Sequence, residues 1–337
     1  MKKYLLPRDV NSYKTCLHTH TDLSDGHNTP EEIRSVYMAH GYSVVAYTDH
    51  DVLIDHSDLC GDGFLALNGY ELEVSEKEHN RPFGPELTCH MCFIAKDQKN
   101  LTQVCYNRDR YVWGNALALK PRLKFDRDDY IRVYSHEGIN DMFRLGRENG
   151  FYVMYNHPAW SMESYPQYSG YEGMDAVEIF NYSCWEEGMD EQNGRVYDDL
   201  LRQGKRIACT ATDDAHNAPK DGCGGWVVLR AAELTYPCVI DALVKGNFYS
   251  SSGPDILDLW TEDGKVYVKT SPVHTIRMYT GSRYGGAVSA GGDWDRTVDE
   301  AVFSLLPRDG YFRIEAIDGH GMRAYSNAYW LDQLVNI

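Results

Sequence analysis

The sequence predicts an α/β fold, a mostly parallel sheet or barrel followed by a small C-terminal β-sandwich-like domain. Three observations carry that expectation. Strand-like and helical patterns alternate over the first two-thirds of the chain. From about Asp255 onward, short strand runs separated by Gly-rich or Asp-rich turns replace them. His, Asp and Glu residues recur just past the strand-like runs, where parallel α/β folds carry their chemistry. The expected divisions are 1–255 for the α/β unit and 256–337 for the β-rich domain, with an insertion or lid at about 96–134.

The elements follow in order. Thr29-Pro30-Glu31-Glu32 is a capping box with Pro at the first helical position. Ile33, Val36, Tyr37 and His40 continue at helical spacing, and Gly41 supplies a stop. Ser43 to Tyr47 is a buried-strand run, and similar runs fall at Phe64 to Leu67, Cys92 to Ala95, Phe151 to Tyr155, Ala176 to Phe180 and Arg206 to Ala211. Helical patterns lie around Gly138 to Glu148 and Arg195 to Gln203. The polar, aromatic stretch from Lys96 to Tyr134 breaks the alternation and reads as a lid over the site. In the tail, Lys265 to Thr270, Thr275 to Tyr279, Val302 to Leu306 and Tyr311 to Ile317 are strand-like, a packing or dimerisation element.

Composition excludes several functions. The formal net charge of −17 argues against a nucleic-acid polymer, which needs a basic face to displace its counterions. A small anionic substrate remains compatible, because bound cations can dominate a local field. No apolar run reaches the length of a bilayer span, and the opening residues carry no signal-like apolar core, so the expected location is cytoplasmic with no membrane partner. Nine scattered cysteines do not suggest a disulfide framework. Cys89 and Cys92 form a lone C-x-x-C around His90, which reads as buried strand thiols.

The chemistry begins at His18-Thr19-His20. Two His one residue apart on a strand share a face, so both imidazoles can reach one metal. Alone, such a pair would pass for loop histidines. Here Asp25 follows in a Ser-Asp-Gly turn, and Thr48-Asp49-His50-Asp51 comes directly after the strand run ending at Tyr47. Glu71 and Glu73 lie beyond Phe64 to Leu67, and His90 opens the next strand run. His157 ends another in Asn156-His157-Pro158, and Asp213-Asp214-Ala215-His216 ends the last. Imidazole and carboxylate converging from several strand ends form the ligand set of a hydrolytic zinc, manganese or iron centre.

Taken together, His18-x-His20, Ser24-Asp25-Gly26, Thr48-Asp49-His50, Asn156-His157-Pro158 and Asp214-x-His216 resemble the PHP (polymerase and histidinol phosphatase) superfamily over roughly residues 14 to 255. Tyr47 to Asp51, Asn68 to Glu71, Gly246 to Tyr249 before Ser252-Gly253-Pro254, and the β-rich tail ending near Trp330 are similar to a subgroup that includes carbamate-ester (carbaryl) hydrolases. The resemblance implies a distorted (β/α)7 barrel holding two or three divalent metal ions. His18, His20 and Asp214 would hold the first metal, and Glu71 would bridge it to a second completed by His90 and His157. Asp25, His50 and His216 would hold a third. Glu71 fits the family's Gly-x-Glu pattern, whereas Glu73, Asp213, Asp49 and Asp51 would orient ligands or lie at the surface.

The implied mechanism is attack by a metal-activated hydroxide near Glu71 on phosphorus or a carbonyl carbon, with Glu71, Asp214 and His216 assigned the catalytic roles. No G-x-S-x-G elbow or P-loop offers a rival nucleophile. The favoured activity is a phosphoesterase on a small phosphomonoester or nucleotide. Hydrolysis of a carboxylic or carbamate ester is the alternative, and a non-catalytic metal- or carbohydrate-binding module is a third reading. Homo-oligomerisation stays open. Lys120 and Arg122, with Lys124 and Arg127, could clamp an anion from the lid or form a solvated face. His136 could stand near the site, whereas His27, His40, His56, His79, His274 and His320 match no motif.

Overall fold

A computed structural model describes residues 2–76, 87–126, 129–293 and 295–334. Seven strands lie side by side in chain order: β1 (Asn11–Cys16), β2 (Tyr42–Tyr47), β3 (Leu65–Ser75), β4 (Thr88–Ala95), β5 (Phe151–Tyr155), β6 (Ala176–Asn181) and β7 (Ala208–Thr212). Past the outermost two, the chain ends of the row meet. Thr19 bridges Ala215 in parallel sense, His20 N donates to Ala215 O at 2.9 Å, and Asp214 N donates to His18 O at 2.9 Å.

The row is less parallel than the alternation suggests. β1–β2, β2–β3, β5–β6 and β6–β7 pair in parallel, but β4 runs antiparallel to both β3 and β5. Parallel neighbours need a crossover that packs on the sheet, usually a helix. The described residues place no helix between β3 and β4. Side chains of β4 from Cys89 to Ala95 are buried, as expected of a strand covered on both faces. Cys89 and Cys92 are thus strand thiols with no disulfide.

Helices cover the sheet. α1 (Pro30–Ala39) starts on the Thr29/Glu32 capping box, with both reciprocal hydrogen bonds present, and ends before Gly41 at φ 79°. α2 (His136–Glu148) is capped by Ser135, whose hydroxyl accepts from Gly138 N at 3.1 Å. It buries Ile139, Met142 and Phe143 against Phe93, Phe151 and Val153 of the sheet. Truncating one of these phenylalanines to Ala would cost about 3–5 kcal/mol. α3 (Gly194–Arg202) lies between β6 and β7.

Beyond β7, β8 (Trp226–Ala231) pairs antiparallel with β1 and with β9 (Phe248–Ser251). The expected boundary at residue 255 follows β9, yet hydrogen bonding continues across it, because β9 pairs with Arg323–Ser326. Ile256–Glu262, Lys265–Val273 and Val298–Ser304 form a separate antiparallel sheet joined by Lys3–Tyr4 from the other end of the chain. No helix among the described residues is long and apolar enough to cross a membrane.

The insertion expected at 96–134 contains a short parallel pair, Thr102–Gln103 with Lys124–Phe125, and a 3-10 turn at Gly114–Arg122. Tyr106, Val112, Ala116, Leu119 and Leu123 cluster with Val52, anchoring the insertion beside the chain that follows β2.

Candidate metal centre

The site forms where the row of strands meets the loops at one end. His18 and His20 follow β1, His50 follows β2, His157 follows β5, and Asp214 and His216 follow β7. β4 runs the other way, so His90, near its start, reaches the same end. Glu71 does not follow a strand, as the sequence suggested, but lies inside the eleven-residue β3. β2 stops at Tyr47 while β3 continues, and a parallel bridge between His50 and Glu71 holds the protruding half in register.

All nine expected ligands converge in three adjoining groups. In the first, Nε2 of His18 lies 3.2 Å from Nε2 of His20, 3.1 Å from Asp214 Oδ1 and 3.3 Å from Glu71 Oε1. Nε2 of His20 lies 3.0 Å from Asp214 Oδ1. In the second, Nδ1 of His90 and Nε2 of His157 lie 3.2 and 3.3 Å from Glu71 Oε1. In the third, Asp25 faces His20, His50 and His216 at 3.6, 3.6 and 3.5 Å. Glu71 belongs to two groups, and His20 also belongs to two.

The donor chemistry fits cations. Nδ1 of His18 donates to Glu178 Oε1 at 2.8 Å, which turns Nε2 towards the carboxylates as a lone pair. Nδ1 of His216 donates to Asp214 O at 3.0 Å, freeing its Nε2 likewise. Nδ1 of His20 and Oδ1 of Asp214 are buried without a hydrogen-bond partner. Lone pairs packed this closely repel unless positive charge lies among them. The pKa shifts report the negative field of the carboxylates, which draws positive charge onto the rings. Burial opposes charge on His18, His20 and His90, yet neighbouring carboxylates outweigh it. Asp214 and Glu71 raise His18 well above its ordinary value and lift His20 to about 10, while Glu71 and Glu73 lift His90 to about 10. Burial would raise Glu71, but His18 and His90 hold it well below the usual carboxylate range. His50 is lowered to about 4 by burial and by His20 beside it.

Several residues position the ligands. Glu178, on β6, takes four hydrogen bonds: from His18 Nδ1, from Thr212 Oγ1 at 2.7 Å, from His157 N at 2.9 Å and from Asn181 Nδ2 at 3.1 Å. No motif marks Glu178, although an acid inside the apolar run Val177-Glu178-Ile179 is a signal, since buried carboxylates need partners. Asn156 donates to Glu71 Oε1 at 2.8 Å. Glu73 Oε2 lies 3.4 Å from His90 Nε2, leaving Nδ1 of that ring for Glu71. Asp49 accepts from Thr21 N at 2.8 Å and Ser24 Oγ at 2.7 Å, shaping the loop that carries His20 and Asp25.

Asp51 instead makes a buried ion pair with Arg132 at the far end of the insertion, and that arginine also donates to Glu73 O at 3.0 Å. Asp213 accepts from Gly224 N and Gly225 N at 2.8 and 2.7 Å, and burial pushes its carboxyl up to about 6. A Cβ on Gly225 would sit 2.1 Å from Thr212 O, so only glycine fits there. Asp51, His157 and Asp214 hold positive φ of 56°, 24° and 55°. Strain of this kind costs about 1–3 kcal/mol per residue and collects at functional sites.

The groups open into a cavity of about 340 Å³. Its wall includes Trp113 from the insertion, 50% exposed, and Trp160 after β5, 38% exposed. The Trp113 ring is 6.1 Å from His50, and the Trp160 ring is 5.1 Å from His157. Among the described residues, no Lys or Arg lines it.

The structure does not bring Lys120 and Arg122 into this wall. The turn that carries them buries Ala116 and Leu119 and leaves Arg122 exposed and Lys120 half-buried. Lys124 is exposed, and Arg127 lies outside the described residues. His136 also stands elsewhere: it opens α2, with Nε2 2.9 Å from Gln167 O, beside a separate surface cavity. Among the other histidines, His40 bonds Val36 O, His56 stacks on Tyr47 and His274 bonds Gly291 O, while His79 lies outside the described residues.

No protein-family model matches the chain, and no curated protein matches it. Several solved structures are similar to it. A two-domain protein from Bacteroides vulgatus, described as containing a predicted PHP-like metal-dependent phosphoesterase, has 14% identity and a TM-score of 0.45, covering 97% of this chain and 98% of that chain. A protein from Bifidobacterium adolescentis, described likewise as a predicted metal-dependent phosphoesterase, has 15% identity and a TM-score of 0.38, covering 62% and 90%. An amidohydrolase from Chromobacterium violaceum with bound sulfate and no metal has 14% identity and a TM-score of 0.41, covering 69% and 96%.

Proposed function

We propose that the chain is a metal-dependent hydrolase that cleaves a small phosphomonoester or nucleotide, using zinc, manganese or iron on a distorted (β/α)7 barrel. One observation carries the proposal: Glu71 offers one oxygen to His18, His90 and His157 and the other to His20 and His50, so adjoining donor groups share a single carboxylate. Such sharing suits chemistry that stabilises an attacking and a leaving oxygen together. When bound, divalent ions supply Lewis-acid polarisation of the ester and bring the pKa of a water towards neutrality, roughly 7 in strongly polarised cases.

The chain's own residues do the rest. His18, His20 and Asp214 would hold one ion, Glu71, His90 and His157 a second, and Asp25, His50 and His216 a third. Glu178 keeps the His18 proton on Nδ1, and the backbone of Asp214 keeps the His216 proton on Nδ1. Trp113 and Trp160 stand in the cavity wall beside His50 and His157, where a substrate would meet them.

A specific observation favours a second reading, hydrolysis of a carboxylic or carbamate ester. Two indoles and no Lys or Arg line the cavity among the described residues, which suits a neutral aromatic ester. Assaying the metal-loaded protein on p-nitrophenyl phosphate and 1-naphthyl acetate separates the two. The phosphoesterase reading expects turnover of the first, and turnover of the second alone would overturn it.

A further inference from the structure

Four arginines line a groove that shares no lining residue with the metal centre. Arg195 and Arg202 come from α3, Arg277 from the strand Thr275–Thr280, and Arg283 from the turn after it. The groove holds about 740 Å³, and no described residue lining it is acidic. The chain carries 50 Asp and Glu against 33 Lys and Arg, so an all-cationic groove runs against its composition.

The local pairing leaves charge over. Arg195 and Arg202 share a single carboxylate, Asp199, at 2.9 and 3.6 Å. Arg277 stands opposite Glu315 in the strand pair, where a cross-strand ion pair would ordinarily form. That carboxylate is already taken, by Arg313 at 3.2 Å and Arg323 at 3.0 Å. Among the described residues, no carboxylate lies within ion-pair distance of Arg277 or Arg283, and Arg277 reaches only the Tyr279 hydroxyl, at 3.5 Å. Gathered guanidinium groups repel one another and create a positive field that an anion relieves. Their planar forks match phosphate and sulfate oxygens two at a time. The volume falls within the range of roughly 300–1,000 Å³ typical of small-molecule sites.

We propose that this groove binds a small organic polyanion carrying at least two phosphate or sulfate groups, at a site separate from the metal centre. The test is calorimetric titration of the metal-loaded protein with inositol hexasulfate, whose sulfates are weak metal ligands, and with inorganic sulfate as the single-charge control. The hexasulfate should bind one per chain and at least tenfold more tightly than sulfate. The Arg277→Ala/Arg283→Ala variant should weaken it at least tenfold, with an unchanged urea midpoint, since both side chains are exposed. Parallel titrations with inositol hexakisphosphate separate the two ester classes: the ligand that binds the parent more tightly and loses more in the variant identifies the group recognised. Absence of saturable binding, equal affinity in the folded double variant, or binding of long sulfated chains alone would overturn the proposal.

Discussion

Nδ1 of His18 donates a 2.8 Å hydrogen bond to Glu178, a carboxylate with no solvent exposure. That contact decides which nitrogen of His18 faces Asp214 and Glu71. Partners of this kind typically contribute 10–100-fold in metal affinity. Glu178→Ala should lose roughly that much, and Glu178→Gln, which keeps an acceptor oxygen, should lose less. Competition with a chromogenic zinc chelator measures both, and unchanged affinity in the Ala variant would show that the contact plays no part in ligation.

Glu71 is the shared member of two groups, so its removal should affect both. Glu71→Ala is expected to hold fewer ions per chain than the parent by elemental analysis, and to lose roughly 10²–10³-fold in kcat, the size of effect seen when one preorganised electrostatic group is removed. A variant with full metal content and full turnover would contradict the bridging assignment.

The Asp51–Arg132 pair ties the insertion to the loop that carries His50. Both side chains are buried, so removing one partner strands a charge. Arg132→Ala should destabilise the fold by about 3–5 kcal/mol. Urea unfolding reads this directly, and a change within about 0.5 kcal/mol, the size usual for surface substitutions, would mean the pair is solvated in solution.

Burial pushes Glu191 up to about 7 from an ordinary 4.5, against the opposing effects of His157 and of hydrogen bonds from Trp160 N and Asn193. Between these two values the folded chain keeps a proton that the unfolded chain has released. Its contribution to stability is therefore complete below 4.5 and is lost as the pH rises through about 7. The urea midpoint of the parent should fall more steeply across that window than the midpoint of Glu191→Gln. Parallel slopes would refute the assignment.

Trp113 and Trp160 bear on the choice of ester. If an aromatic ester is the substrate, Trp113→Ala should raise KM for 1-naphthyl acetate roughly two- to tenfold with little change in kcat, as expected for loss of an aromatic contact worth about 0.5–1.5 kcal/mol. Equal KM values would remove the indole from substrate binding.

How much of this could be read from the sequence follows from the range of the interactions. The start of α1 is a local matter, settled by Thr29 and Glu32 three residues apart. The candidate ligands stood out in the sequence through the one-residue spacing of His18 and His20 and the apolar runs before His50, His157 and Asp214, and the resemblance to the PHP superfamily implied the full set; in the structure His18 and His20 lie just past β1 rather than on it. The place of Glu71 inside β3, and the reversal of β4, depend on pairings between distant segments that no local pattern encodes. The pairing of Arg132, in the insertion, with Asp51 was hidden for the same reason, since the two are far apart in the chain. For Lys120 and Arg122 the sequence left open an anion clamp or a solvated face; the apolar side of their turn packs on Val52 and its neighbours, and they stay outside the cavity.

The most direct test is a crystal structure of the metal-soaked protein, with anomalous data collected across the manganese, iron and zinc edges. The account predicts at least two anomalous peaks, one among His18, His20, Glu71 and Asp214 and one among Glu71, His90 and His157. Well-ordered crystals showing no peak at either place would contradict it.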